Sequence, residues 1–183
     1  MEEIRKIKNN NLNKNNSHYR PCLLYTSPSP RDAVSKRSPC IRRKYGAIIV
    51  KDDTIVSTGY NGPARKVINC FEVGCIKEIL NLPHGSHYDL CPGVHAEENA
   101  IVNAARTGAN VLGGTLYIFG EDVKTKEVCE AMPCARCKRV LINAGIKEVV
   151  IRTKNGITKV NVEEWIKEDS ENYKRLIETQ NRI

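Results

Sequence analysis

Apolar positions first become regular at Ala33, and from there two periods alternate along the chain. Residues 45–50 and 54–58 are apolar, β-branched runs on either side of Lys51-Asp52-Asp53, the pattern of a hairpin. Residues 59–63, Gly-Tyr-Asn-Gly-Pro, end the second run in a tight, backbone-rich loop. Periodicity is poor over residues 64–93, with room for a short helix at 72–82. Residues 95–107 return to helical spacing, with Ala96, Ala100, Ile101, Ala104 and Ala105 on one small-residue face and Gly108 as the stop. Residues 114–119 and 147–152 read as strands. Between them lie a charged loop at 120–132 and a helix at 134–143, closed by Gly145. A terminal helix over 162–179 carries Trp165, Ile166, Tyr173 and Ile177 at helical spacing, a stripe expected to pack. Residues 33–37 read as the last turns of a helix stopped by Ser38-Pro39. Strands separated by helices predict an α/β fold, a three-layer α/β/α domain.

The first 32 residues do not fit this pattern. Residues 1–16 are rich in Asn and Lys and are expected to be disordered. Residues 22–32, Cys-Leu-Leu-Tyr-Thr-Ser-Pro-Ser-Pro-Arg-Asp, resemble the translation of a transposase adapter used in sequencing libraries. On that reading residues 1–32 are a non-native leader ending in a cloning or assembly scar, and residues 33–183 form the domain. A native Pro/Ser linker is the alternative that the composition also permits.

Composition narrows the function classes. The 183 residues suit one domain, 40% are hydrophobic, and no apolar run approaches the length of a membrane span. The formal net charge of +8 suggests nucleic acid, but residues 1–32 hold six Lys/Arg and three Asp/Glu, which leaves only +5 for the remainder. No basic run interleaved with aromatics occurs, so the basic residues read as a solvated surface. Eight cysteines clustered beside His and Glu fit metal sites in a reducing compartment better than a disulfide framework, and the expected location is the cytoplasm.

Candidate chemistry lies in two segments, Val94-His-Ala-Glu-Glu-Asn-Ala-Ile101 and Met132-Pro-Cys-Ala-Arg-Cys137. Separately each is ordinary: His-x-Glu is a frequent helix start, and Cys-x-x-Cys could be a redox pair, a zinc knuckle or coincidence. Together, with Pro133 directly before Cys134, they match the H-x-E followed by P-C-x-x-C signature of zinc nucleobase deaminases. His95, Cys134 and Cys137 would supply three ligands and leave a fourth position for water, as hydrolytic zinc sites do. Pro133 suits the first turn of a helix, and Cys134 and Cys137 at i and i+3 point their sulfurs the same way. Glu97 would reach the water without ligating and shuttle its proton. A closed zinc knuckle with a spectator Glu97 is the alternative, and it requires a fourth protein ligand.

These residues resemble the cytidine/deoxycytidylate deaminase superfamily, and within it the deoxycytidylate (dCMP) deaminase group with its competence-associated bacterial members. The motifs that carry the resemblance are residues 40–50, Gly59-Tyr-Asn-Gly62, Cys70 and Cys75, residues 95–101, residues 133–139, and Ile142-Asn-Ala-Gly-Ile146. The resemblance implies a five-stranded mixed sheet, zinc-dependent hydrolysis of dCMP to dUMP and ammonia, and a homo-oligomer. Some members are regulated by dCTP and dTTP, which would act as magnesium nucleotides. It also implies a second, structural zinc held by Cys40, Cys70, Cys75 and Cys91, with His84 or His87 as substitutes for one cysteine. The bland alternative is that these are free buried cysteines. Asn61 resembles the family's sugar- or base-contacting Asn, while Arg42 and Arg43 either reach a phosphate or are solvated. The family's first helix should begin well before Ala33, where the suspected scar stands.

Two competing classes remain at this point. A nucleic-acid deaminase of the same superfamily would act on tRNA adenosine or single-stranded cytosine and would need a basic groove for the flanking strand. A non-enzymatic zinc module is the other, and the intact Glu97 argues against it.

Overall fold

The computed structural model describes residues 29–83 and 86–180. In chain order its elements are α1 (Pro30–Ser35), β1 (Arg43–Lys51), β2 (Thr54–Tyr60), β3 (Gly62–Pro63), α2 (Cys70–Val73) and α3 (Ile76–Ile79). Then follow β4 (Gly93–Val94), α4 (Ala96–Thr107), β5 (Thr115–Asp122), α5 (Ala135–Asn143), β6 (Glu148–Thr153), β7 (Gly156–Asn161) and α6 (Val162–Gln180). The main sheet has the order β2-β1-β5-β6-β7. β1 runs antiparallel to β2 and β5, β5 and β6 are parallel, and β7 returns antiparallel. This is the expected five-stranded mixed sheet.

The hairpin at 51–54 turns through Asp52 and Asp53, both at positive φ (48° and 59°), as a two-residue turn matched to strand twist requires. Side chains of the central strands then alternate between two cores. Ala47, Ile49, Leu116, Ile118, Val149 and Ile151 face Ala96, Ala100, Leu141 and Trp165. Ile48, Val50, Tyr117 and Val150 face the other way, with Val34 of α1 packed on them. Helices on both faces give the three layers.

Close packing of α4 on β2 depends on small residues. A Cβ at Gly59 would collide with the backbone of Ala96 and Ala100, and Ser57 Oγ donates to the Ala100 carbonyl at 2.6 Å. Ala96, Ala100 and Ala104 are buried as expected, whereas Ala105 lies on the solvent side.

Several elements depart from the sequence reading. β7 was not foreseen, because Ile157-Thr-Lys-Val160 is half-exposed along an edge and carries little apolar signal. Residues 59–63 are not all loop: β2 runs on to Tyr60, and β3 pairs with β4 beside the pocket. The region 72–82 holds two single turns, α2 and α3, rather than one helix. On α6 only Val162 and Trp165 are buried; Tyr173 and Ile177 are exposed, so most of that stripe does not pack within the chain. No helix of the described residues is long and apolar enough to cross a membrane.

The packed chain also begins earlier than Ala33. Asp32 accepts from the Ser29 backbone N–H at 3.0 Å and from its hydroxyl at 2.9 Å, so the first turn of α1 is capped and Ser29, Arg31 and Asp32 are buried. Residues 1–28 of the expected leader lie outside the described residues. Arg31 is 0% exposed, and none of its three guanidinium nitrogens has a hydrogen-bond partner among the described residues. Among the described residues it forms an ion pair with Asp32, Nε 3.6 Å from Oδ1, and burial lowers its pKa. A buried cation without hydrogen bonds is destabilising compared with an apolar residue of similar volume, by about 1–4 kcal/mol. Arg31→Met is therefore expected to raise the thermal midpoint by several degrees. An unchanged or lower midpoint in calorimetry would show that Arg31 has a compensating partner.

Candidate metal centre and its pocket

Two helix N-termini meet beside Ala96, at the N-terminal end of the alanine face of α4. His95 is the N-cap of α4 and Cys134 the N-cap of α5, both in extended backbone (ψ 156° and 166°). Cys137 follows at the third helical position of α5. Pro133 therefore precedes the cap instead of lying in the first turn, where it had been expected. The cap position turns each ligand side chain back over its helix end, so both helices aim their free N–H groups at one spot.

His95 Nδ1 lies 3.6 Å from Cys134 Sγ and 3.3 Å from Cys137 Sγ. All three ligand atoms lie within 4.8 Å of one another, and among the described residues this is the group that could hold a metal ion. A tetrahedral ion with zinc–sulfur bonds of 2.3 Å and a zinc–nitrogen bond of 2.0–2.1 Å has N···S edges of about 3.6 Å, so the donor set fits zinc. Burial lowers the His95 pKa, which favours the neutral imidazole that binds metal. Burial also pushes the Cys137 thiol well up. The helix terminus and a bound dication both act against that shift, and the dication is the larger charge.

Glu97, the second residue of α4, is 5% exposed and lines the cavity without joining the ligand group. Desolvation raises its pKa to about 7, against the opposing effect of hydrogen bonds to its own backbone and to Cys137. The carboxyl is thus held in the range a proton carrier needs, although a dication beside it would draw the value down.

A cavity of about 340 Å³ opens beside these residues, at the small end of ligand sites. Arg42, Arg43 and Asn61 line one side, and Met132 and Tyr88 line it as well. The Tyr88 ring stands 5.5 Å from the His95 ring at 60°, and Lys77 Nζ sits 4.8 Å over Tyr88 while donating to the Ser86 carbonyl. Tyr45, another lining residue, donates its hydroxyl to the Glu130 carbonyl and steadies the approach to Cys134. Lys77 and Tyr88 come from the aperiodic segment, so no spacing in the sequence signalled them.

Asn61 has a role that the sequence did not suggest. Its Oδ1 accepts from the Tyr45 N–H at 2.7 Å, and its Nδ2 donates to the Arg43 carbonyl at 2.9 Å. The amide clasps the start of β1, the strand that carries Arg43. Arg43 itself reaches Asp122, with Nε 3.8 Å from Oδ2, and Arg42 makes no ion pair among the described residues.

Cys40, Cys70, Cys75 and Cys91 all line the same cavity. The Cys70 thiol is raised by burial first and then by Cys40, Cys75 and Cys91, so the four are neighbours. They do not lie close enough to form a second ligand group of the spacing seen at His95. His84 lies outside the described residues, and His87 is exposed with Nδ1 against Ser86 Oγ.

Removing the Asn61 amide leaves two backbone groups at the head of β1 without partners, at about 1–3 kcal/mol. Asn61→Ala should accordingly unfold at lower denaturant concentration; an unchanged midpoint would show that the clasp contributes nothing.

The family model described as "Cytidine and deoxycytidylate deaminase zinc-binding region" matches residues 30–153. Deoxycytidylate deaminase of Schizosaccharomyces pombe is 34% identical over 120 residues, covering 66% of this chain and 34% of that protein. Deoxycytidylate deaminase of Mycobacterium phage D29 is 34% identical over 123 residues, covering 64% of this chain and 84% of that protein. The chain thus spans about a third of the length of the yeast relatives and most of the phage one. Among solved structures, dCMP deaminase from the cyanophage S-TIM5, in complex with dCMP and dUMP, is 29% identical with a TM-score of 0.49, covering 67% of this chain and 74% of that one.

Proposed function

Because the chain belongs to the cytidine and deoxycytidylate deaminase family, we propose that it hydrolyses dCMP to dUMP and ammonia at the zinc site of His95, Cys134 and Cys137. The observation that carries the reading is Glu97, a buried carboxyl at the cavity edge beside the ligand group and not part of it. A closed structural knuckle has no use for such a group.

Zinc bound by the three residues supplies Lewis acidity and brings the pKa of water towards neutrality. Glu97 takes a proton from the attacking water and passes it to the pyrimidine ring. It then carries the second proton to the exocyclic amine, which leaves C4 as ammonia while the oxygen of water stays behind. Burial keeps the Glu97 carboxyl able to hold a proton between these steps. Tyr88 and Met132 provide the apolar wall of the cavity, and Arg42 and Arg43 place positive charge on its rim for a 5′-phosphate. Asn61 supports that rim through the β1 backbone and is the candidate contact for the sugar.

The test is ammonia release from dCMP, cytidine, dCTP and a tRNA anticodon hairpin, measured side by side. dCMP should be turned over fastest and cytidine poorly, because a nucleoside leaves the phosphate contacts of the site unmade. A hairpin deaminated faster than dCMP would replace this reading with the nucleic-acid one. Glu97→Ala should retain zinc and lose at least about 10²-fold in rate, the scale of general acid–base catalysis. Near-wild-type turnover by that variant would end the mechanism.

We extend the proposal to a second zinc on Cys40, Cys70, Cys75 and Cys91, supported by their lining one wall and by the mutual electrostatic influence of their thiols. Small movements of the aperiodic segment would close a tetrahedral site. Metal analysis should give about two zincs per chain and about one in Cys70→Ser. One zinc in both proteins would refute it. A homo-oligomer in the cytoplasm, open to a magnesium-nucleotide effector, completes the proposal; sedimentation with and without dCTP checks the assembly.

A further inference from the structure

The two helices that carry the ligand group are also joined by an ion pair. Arg136 lies between Cys134 and Cys137, at the second residue of α5, and Glu98 is the third residue of α4. Arg136 Nη2 donates to Glu98 Oε2 at 2.6 Å. The same oxygen accepts the backbone N–H of His95 at 3.4 Å. One carboxylate oxygen therefore touches both the residue that starts α4 and the residue held between the two sulfurs.

We propose that Glu98 and Arg136 are positioning residues that clasp the first turns of α4 and α5 together and thereby set the zinc affinity of His95, Cys134 and Cys137. This rests on the zinc reading of that group. The other basic residues of α5, Lys138 and Arg139, reach away to Glu168 and Asp169 on α6. Among the described residues no other ion pair joins α4 to α5. Without the clasp, the spacing of the imidazole from the thiols would depend on the packing of α4 against α5 and on the sheet beneath them.

The pair has an electrostatic use as well. Two thiolates at one centre repel each other, and Arg136, two residues after Cys134 and one before Cys137, brings a guanidinium to the same helix start. Glu98 is 18% exposed and Arg136 59%, so solvent reaches the arginine from one side. A pair of that exposure is weak on its own. Its leverage comes from the shared acceptor, which ties the arginine to the backbone of a ligand, as outer groups around metal sites do.

The experiment measures zinc affinity by competition with a chromogenic chelator, on wild type, Arg136→Met, Glu98→Gln, the double variant and Arg136→Lys. Glu98→Gln keeps an acceptor for the His95 N–H and removes only the charge. Each single loss should weaken zinc binding by about three- to tenfold. The double variant should be no weaker than the worse single one, because both remove the same contact. Arg136→Lys should recover part of the loss. The metal-free proteins should melt within about 3 °C of one another, since little fold stability resides in an exposed pair. Wild-type affinity in Arg136→Met would overturn the clasp, as would additive losses in the double variant or losses that track the melting temperature. A wild-type protein that binds no zinc would overturn the metal reading itself, a result distinct from the others.

Discussion

The structure depends on bringing the positive ends of two helices to within a few ångströms of each other. Helix N-termini repel, and α4 and α5 meet where His95 and Cys134 serve as caps. Negative charge is what makes such a meeting favourable. Glu98, whose Oε2 accepts the His95 N–H, places such charge in the first turn of α4, and Cys134 and Cys137 would add to it as metal-binding thiolates. The site is therefore tied to the way the two helices meet.

The sheet then determines how exactly they converge. α4 lies on β2 through Gly59, Ala96 and Ala100, where Gly59 has no room even for a methyl group, and Ser57 binds the Ala100 carbonyl. α5 follows β5 and is locked by Leu141 and Ile146 in the same core. A β2 shifted by one residue would replace Gly59 with Tyr60 or Thr58 against the helix and force it away. The ångström-scale placement of His95 thus follows from a small-residue contact in the layer below the site.

What the sequence made legible was local. Ligand spacing within one helical turn, the turn at Asp52-Asp53, and the apolar runs of β1 and β5 each need fewer than ten residues to be recognised. The ligand cluster follows from the two motifs, while the five-stranded sheet was what the family resemblance implied. What was not legible came from pairing across long separations. β7 lies on an edge and gains its structure from β6, with no apolar period of its own. β3 and β4 are two residues each and exist because residues 62 and 94 meet. Asn61 reads as a sugar- or base-contacting residue by resemblance to the family, and no local pattern signals that its amide also binds the backbone of residues 43 and 45. The α6 stripe reads as core by spacing, but only its first turn finds a partner within the chain. Period alone does not say whether an apolar face has anything to cover it.

Two buried charges show how differently the same cost can be met. Glu97 is nearly as buried as Arg31, and desolvation dominates the shift of both. A carboxyl has an escape: it takes up a proton, its pKa rises to about 7, and the cost of burial becomes a usable proton. Guanidinium holds its proton at any ordinary pH, so it must find acceptors or remain destabilising. Glu97 has the open cavity and Cys137 beside it; the Arg31 nitrogens have no hydrogen bond among the described residues. The same helix start holds both outcomes: Asp32 caps Ser29 and accepts from Arg152 Nη1 at 3.3 Å, while the arginine one residue before it finds no hydrogen-bond acceptor among the described residues.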